Sequence, residues 1–162
     1  MPELHRLRAD HAEAVLAFEV ANRTYFSAFI SDRGEEFFDY FHESYDALLA
    51  EQEAGSCVLH VLVDDEGVVL GRFNLFDVEE GTAVLGYRVA RQVAGHGVAT
   101  ATVQGLCRLA AAEYGLSTLR AAASHDNVAS QRVLAKCGFV PVGPAEPGGR
   151  AGTWYERDLS AD

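Results

Sequence analysis

LGYRVARQVAGHGVATATVQGLCRLAAAEY, residues Leu85 to Tyr114, opens as a strand, turns on glycine and continues at helical spacing. Leu85, Tyr87 and Val89 fall at every second position, as one face of a strand requires. Gln92-Val93-Ala94-Gly95-His96-Gly97 follows, and Ala99, Val103, Leu106 and Ala110 then recur on one helical face. Gly105 within that helix costs roughly 1 kcal/mol relative to Ala. The N–H groups of the first turn have no intrahelical partner and lie at the positive end of the helix dipole. Phosphate is the natural ligand of such a turn. Glycines at 95 and 97 let the backbone take φ > 0 and close on an anion.

Three phosphate-binding devices share this outline, and spacing separates them. A P-loop needs Lys directly after its last glycine, and none follows Gly95 or Gly97. A dinucleotide fingerprint needs a third glycine where Thr100 stands and a carboxylate near Ser117-Thr118-Leu119-Arg120, where there is none. The remaining pattern, Q-x-x-G-x-G, resembles the acetyl-CoA pyrophosphate loop of the GNAT acyltransferase superfamily. A second segment, Asn127-Val128-Ala129-Ser130-Gln131-Arg132-Val133-Leu134-Ala135-Lys136-Cys137-Gly138-Phe139, resembles the other GNAT signature, N-x-x-[AS]-x-x-x-[YL]-x-x-x-G-F. Ser130 with Leu134, where many relatives have Ala and Tyr, is similar to the RimJ/RimL branch of ribosomal-protein N-terminal acetyltransferases. Phe18-Glu19-Val20-Ala21-Asn22-Arg23, with the aromatic residues and Arg33 after it, also resembles that branch, so the likeness covers nearly the whole chain.

Composition sets wider bounds. At 162 residues, 49% hydrophobic and 23% charged, the chain is expected to form one soluble globular domain, residues 1–162, a single GNAT acetyltransferase domain. With no run of eighteen apolar residues and no signal-peptide core in Met1 to Arg6, a cytoplasmic protein without membrane partners is expected. Cys57, Cys107 and Cys137 show no C-x-x-C spacing, and the six histidines form no H-x-x-x-H pair, so no metal is expected. A net charge of −11 argues against nucleic acid, whose phosphates need clustered Lys and Arg. It suits a cationic acceptor drawn to an acidic cleft, or solubility alone.

In chain order, Leu4 to Leu7 reads as a strand, and Asp10 with Glu13 has capping-box spacing for a helix burying Ala14, Val15, Phe18 and Ala21. Glu35 to Glu51 reads as a second helix with Phe38, Phe41, Tyr45 and Leu48 on one face. Cys57 to Val63, Val68 to Phe76 and Ala83 to Val89 read as a meander turning at Asp64 to Gly67 and Glu79 to Gly81. Thr118 to Ser124 is a strand, Asn127 to Cys137 a helix stopped at Gly138, Phe139 to Val142 a strand, Pro144 to Gly149 a loop and Gly152 to Leu159 the last strand. The expected fold is α/β of the α+β type. It has a mixed, mostly antiparallel sheet of about seven strands and about four helices. The resemblance adds that the central parallel pair splays apart to admit the pantetheine arm.

The resemblance also implies the chemistry: acetyl-CoA as co-substrate, no metal, and transfer to a primary amine. The acceptor is a protein or peptide N-terminus, or a small amine such as a polyamine or antibiotic; a non-catalytic acyl-CoA sensor is the rival. A monomer or homodimer is expected. Backbone N–H groups of Ala94, Gly95, Gly97, Val98 and Ala99 would hold the pyrophosphate, Val89 would pair with the pantetheine amides, and Gln92, His96 and Lys136 are further cofactor-binding candidates. Asn127 is both a helix N-cap and a candidate to hold the arm. Ser130 is the candidate donor to the departing thiolate, since Leu134 has no hydroxyl. Tyr25, Phe26, Phe29 and Phe38 are candidates for the acceptor wall. No base transfers by resemblance, because Val84 stands where relatives often have Glu; Glu19, Asp77, Glu79, His125 or a water chain remain.

Overall fold

The computed structural model describes residues 1–161. One seven-stranded sheet has the order β1-β2-β3-β4-β5-β7-β6. Its strands are β1 (Glu3–Arg6), β2 (Val58–Val63), β3 (Val69–Glu79), β4 (Thr82–Val89), β5 (Thr118–Ser124), β6 (Val140–Ala145) and β7 (Gly152–Asp158). The helices are α1 (Ala12–Ala21), α2 (Arg23–Ser27), α3 (Glu35–Asp39), α4 (Phe41–Glu53), α5 (Val98–Glu113) and α6 (Val128–Lys136). All strand pairs are antiparallel except β4 with β5.

Helices cover both faces, which is why β2 is an unbroken apolar run with one His rather than an alternating strand. Leu59, Val61 and Val63 pack with Val15, Phe18, Phe26, Phe41 and Tyr45 of α1, α2 and α4. Val58 and Leu62 turn to the opposite layer, where Val103, Leu106 and Ala110 of α5 meet Leu134 of α6. Cys57, Cys107 and Cys137 are buried and not joined in disulfides, and they pack as small apolar side chains.

The parallel pair creates the opening that the rest of the fold surrounds. Thr82, Ala83 and Val84 pair with Thr118, Leu119 and Arg120, and the ladder ends there. Beyond it Leu85 to Val89 pair with β3 and Ala121 to Ser124 with β7, and among the described residues β4 and β5 share no further rung. The strands part toward their carboxyl ends, where open sheets of this kind place ligands.

Several local expectations are corrected. The described residues form six helices where about four were expected. Asp10 caps nothing: its carboxylate is drawn to the Arg8 guanidinium at 3.1 Å, and the Arg8 N–H donates instead to His11 Nδ1 at 3.0 Å. The helix predicted over Glu35 to Glu51 breaks at Tyr40 (φ −116°, ψ 32°). A straight helix would have put Phe38 on the face of Phe41 and Tyr45; the break lets Phe38 lie 4.4 Å under the Arg23 guanidinium while the other two enter the core. Pro144 lies in β6 rather than in a loop. Because β6 is an edge strand with an irregular register between Pro141 and Gly143, a residue without an N–H is tolerated there.

Candidate active site

Two cavities meet in the splay. The larger, about 540 Å³, runs from α2 across the loop before α5 to the start of α6. The smaller, about 280 Å³, lies between the parted ends of β4 and β5 and is lined on one side by Pro147, Gly148 and Arg150 before β7. Phe29, Ile30, Tyr87, Arg88, Asn127 and Ser130 line both.

The glycine loop forms one end of the larger cavity. Gly97 is the N-cap of α5 in left-handed conformation (φ 77°, ψ 3°), with no side chain capping the helix. Gly95 also has positive φ (79°), and a Cβ at either position would meet nothing within 4 Å. The backbone conformation, rather than crowding, calls for glycine. What is left facing the cavity is a helix N-terminus without a protein anion, a shape and polarity that fit a pyrophosphate. Val89, Ala94, Gly95, Gly97, Val98, Ala99, Asn127 and Lys136 line this cavity, whereas Gln92 and His96 are exposed and line neither cavity. Arg132, not singled out from the sequence, lines it beside Lys136 and adds a second cation for phosphate.

At the junction, the Asn127 side chain accepts the Ser130 backbone N–H at 3.2 Å and caps α6. That bond fixes the first turn and with it the Ser130 hydroxyl. The Tyr87 hydroxyl reaches across from β4 and donates to Ser130 Oγ at 3.2 Å. Burial pushes the Tyr87 phenol up to about 12, so it stays protonated near neutral pH. Its ring stacks on Phe73 at 5.5 Å with 6° between planes. Sequence reasoning took Tyr87 for an apolar strand residue; its polar tip, on the face that carries Val89, was the available signal.

The aromatic candidates divide. Tyr25, Phe26 and Phe29 line the larger cavity, but Phe38 does not and is held by Arg23 instead. Asn22 ties this wall to the glycine-loop side, donating to Phe18 O and accepting from the Arg91 N–H, both at 2.9 Å.

None of the candidate bases reaches the junction. Glu19 is 1% exposed and accepts from Arg33 at 3.0 and 3.1 Å, Arg72 at 2.9 Å and Arg88 at 3.4 Å. Burial alone raises its pKa, but the Arg33 hydrogen bonds and the three guanidinium charges outweigh burial and hold it below the usual carboxylate range. It is a poor proton acceptor in that state. Asp77, Glu79 and His125 are exposed and line neither cavity, and Val84 lies at the last paired rung of the parallel ladder and lines neither cavity. Among the described residues, no Asp, Glu or His lines the smaller cavity. No group of side chains there could hold a metal ion, and no helix is long and apolar enough to cross a membrane.

Comparisons with known proteins agree with this geometry. The structure superposes on ribosomal-protein-S5-alanine acetyltransferase from Vibrio fischeri with a TM-score of 0.89 at 18% identity, covering 99% of this chain and 94% of that one. RimJ of Mycobacterium smegmatis, solved with CoA-disulfide, gives 0.83 at 22% identity over 97% and 81%. Spermidine N-acetyltransferase from Vibrio cholerae, solved with CoA and spermine, gives 0.82 at 17% identity over 98% and 96%. Identities this low speak for the fold and leave the acceptor undetermined. None of the curated proteins compared with the chain matches it significantly. The family model described as the acetyltransferase (GNAT) domain matches residues 3–140. With its splayed strands and glycine-capped helix, the chain belongs to the GNAT family and is an acetyl-CoA-dependent N-acetyltransferase.

Proposed function

We propose that this enzyme acetylates the α-amine at a protein or peptide N-terminus. One observation carries the choice: no carboxylate or imidazole among the described residues lines the smaller cavity. An α-amino group titrates near 8 and a Lys side chain near 10.4, so at pH 7.5 roughly a quarter of the former is neutral but only about a thousandth of the latter. The difference amounts to roughly 3 to 4 kcal/mol of deprotonation cost, which a site without a strong base does not recover. The likeness to the ribosomal-protein acetyltransferases supports the same reading.

In this reading acetyl-CoA lies in the larger cavity. Backbone N–H groups from Gly95 to Ala99 hold its pyrophosphate, Arg132 and Lys136 add charge, and Val89 pairs with the arm as an added strand. The neutral amine enters from the smaller cavity and attacks the thioester carbonyl. As the tetrahedral intermediate collapses, the C–S bond breaks and Ser130 gives a proton to the sulfur. The Tyr87 hydrogen bond to Ser130 Oγ stays in place and leaves the Ser130 proton free to point at sulfur; the amine's own proton leaves to water, and water returns one to Ser130. The enzyme is incubated with acetyl-CoA and two peptide sets, free N-termini without Lys and blocked N-termini with internal Lys. Mass spectrometry should find the acetyl group on the first set; faster modification of internal Lys would overturn the proposal.

A further inference from the structure

The chain carries a net charge of −11, yet the smaller cavity has the opposite character. Its only charged lining residues among those described are Arg88 and Arg150. Arg88 belongs to a cluster in which three guanidiniums, from Arg33, Arg72 and Arg88, share the buried carboxylate of Glu19. The nearby Asp32 does not balance the excess, because Arg23 holds it through two hydrogen bonds of 2.8 and 2.9 Å. Arg150, a third exposed, also lines the cavity, and its ion pair with the largely exposed Asp126 is long at 3.8 Å. A second feature is a buried hydroxyl. Ser124 is 5% exposed and lines this cavity, and its Oγ has no hydrogen-bond partner among the described residues. A buried polar atom left so carries an uncompensated desolvation cost, and a ligand that bonds it removes that cost.

Resting on the N-terminal reading above, we propose that this cavity is selective for an acceptor α-amine with a carboxylate close by, the Ser124 hydroxyl bonding the acceptor near its amine and Arg150 reading the carboxylate. Polycationic amines are disfavoured, because a spermidine-like chain needs carboxylates along its path and here meets two guanidiniums. The carboxylate comes either from an acidic residue just after the N-terminal one or from the α-carboxylate of a free amino acid.

Calorimetry on the CoA-loaded protein measures binding without turnover. The probes are an Ala-Asp-Asp peptide, an Ala-Lys-Lys peptide, both amidated at the C-terminus, free alanine, alanine amide and spermidine. The acidic peptide should bind about three- to tenfold tighter than the basic one, and spermidine should bind more weakly than either peptide. Tighter binding of the amidated acidic peptide assigns the carboxylate to a side chain. A preference for alanine over its amide without a peptide preference assigns it to a free amino acid. Arg150→Glu should invert the preference. Ser124→Ala should weaken acceptor binding about three- to tenfold while thermal stability holds or rises, since no protein hydrogen bond is lost. Equal or tighter binding of the basic peptide with no preference for alanine over its amide overturns the proposal, as does spermidine binding as tightly as the acidic peptide, or a Ser124→Ala variant that loses stability and keeps acceptor affinity. Acetyl transfer in the same panel separates the two claims: transfer to internal Lys defeats the N-terminal reading, and indifference to charge defeats only this one.

Discussion

Ser130 and Tyr87 are separable by substitution because the helix cap does not depend on either hydroxyl. Asn127 receives the backbone N–H of Ser130, which Ala keeps, so Ser130→Ala should leave α6 and acetyl-CoA affinity intact. The expected loss in kcat is roughly tenfold to a thousandfold, near the range of a positioned proton donor. Tyr87→Phe retains the stacking on Phe73 and should lower kcat by roughly three- to thirtyfold, through loss of the bond that orients Ser130. In the Ser130→Ala background the same change should add almost nothing, since the two act in series. Steady-state kinetics on the four enzymes checks this; additive losses would mean that Tyr87 acts on its own. The Asn127 cap was legible in the sequence because capping is a local rule, four residues long, whereas Ser130 was singled out by the resemblance of its segment to N-x-x-[AS]. The Tyr87 contact was not, because it spans 43 positions and depends on two strands parting.

Element by element, the glycine loop and α5 were readable from spacing, while the layer over the other face was not. The break at Tyr40 and the short α2 follow from where Arg23 finds its partners: Asp32, Glu35 and the Phe38 ring. No periodicity encodes such contacts. The Glu19 cluster is equally nonlocal, linking α1, the segment before α3, β3 and β4 through residues 19, 33, 72 and 88. Removing the shared carboxylate leaves Arg72, 5% exposed, without its counterion. Glu19→Gln should therefore destabilise by about 3–5 kcal/mol, the cost of breaking one partner from a buried pair. Chemical denaturation of both proteins at pH 7 measures it, and a change below about 1 kcal/mol would show the cluster to be a solvated one. At the other element, Gly97→Glu places a carboxylate over the α5 N-terminus. It should weaken CoA binding at least about tenfold by calorimetry, while Gly97→Ala, which shares the strain of positive φ, should weaken it less. Equal losses in the two variants would assign the effect to strain alone.

On the scale of the whole molecule, two electrostatic effects compete as pH falls. With a net charge of −11 at pH 7 and a pI near 4.9, acidification relieves self-repulsion, which favours the compact state. Buried groups with lowered pKa values act the other way. His60, 2% exposed, donates from Nδ1 to Phe73 O at 3.0 Å and accepts the Tyr114 hydroxyl at Nε2, 2.7 Å away. That arrangement needs a neutral ring, and burial pushes its pKa down to about 4 from 6.5. Between those values the unfolded chain binds a proton that the folded one does not, so His60 contributes stability above pH 6.5 and loses it progressively down to pH 4. The loss is about 3 kcal/mol. Glu19, also lowered, contributes above its ordinary value of 4.5 and loses that contribution as pH falls further, so its effect has the same sign at the acid end of the range. Surface repulsion among exposed carboxylates is screened at ordinary salt, whereas these buried terms are not. The urea midpoint should therefore fall between pH 7 and pH 4 even as net charge passes through zero. His60→Gln can keep both hydrogen bonds without titrating, and should flatten the part of the fall that lies between pH 6.5 and 4. A wild-type midpoint that rises toward the pI would mean that repulsion dominates, and an unchanged slope in His60→Gln would mean that the ring is not held neutral by its burial.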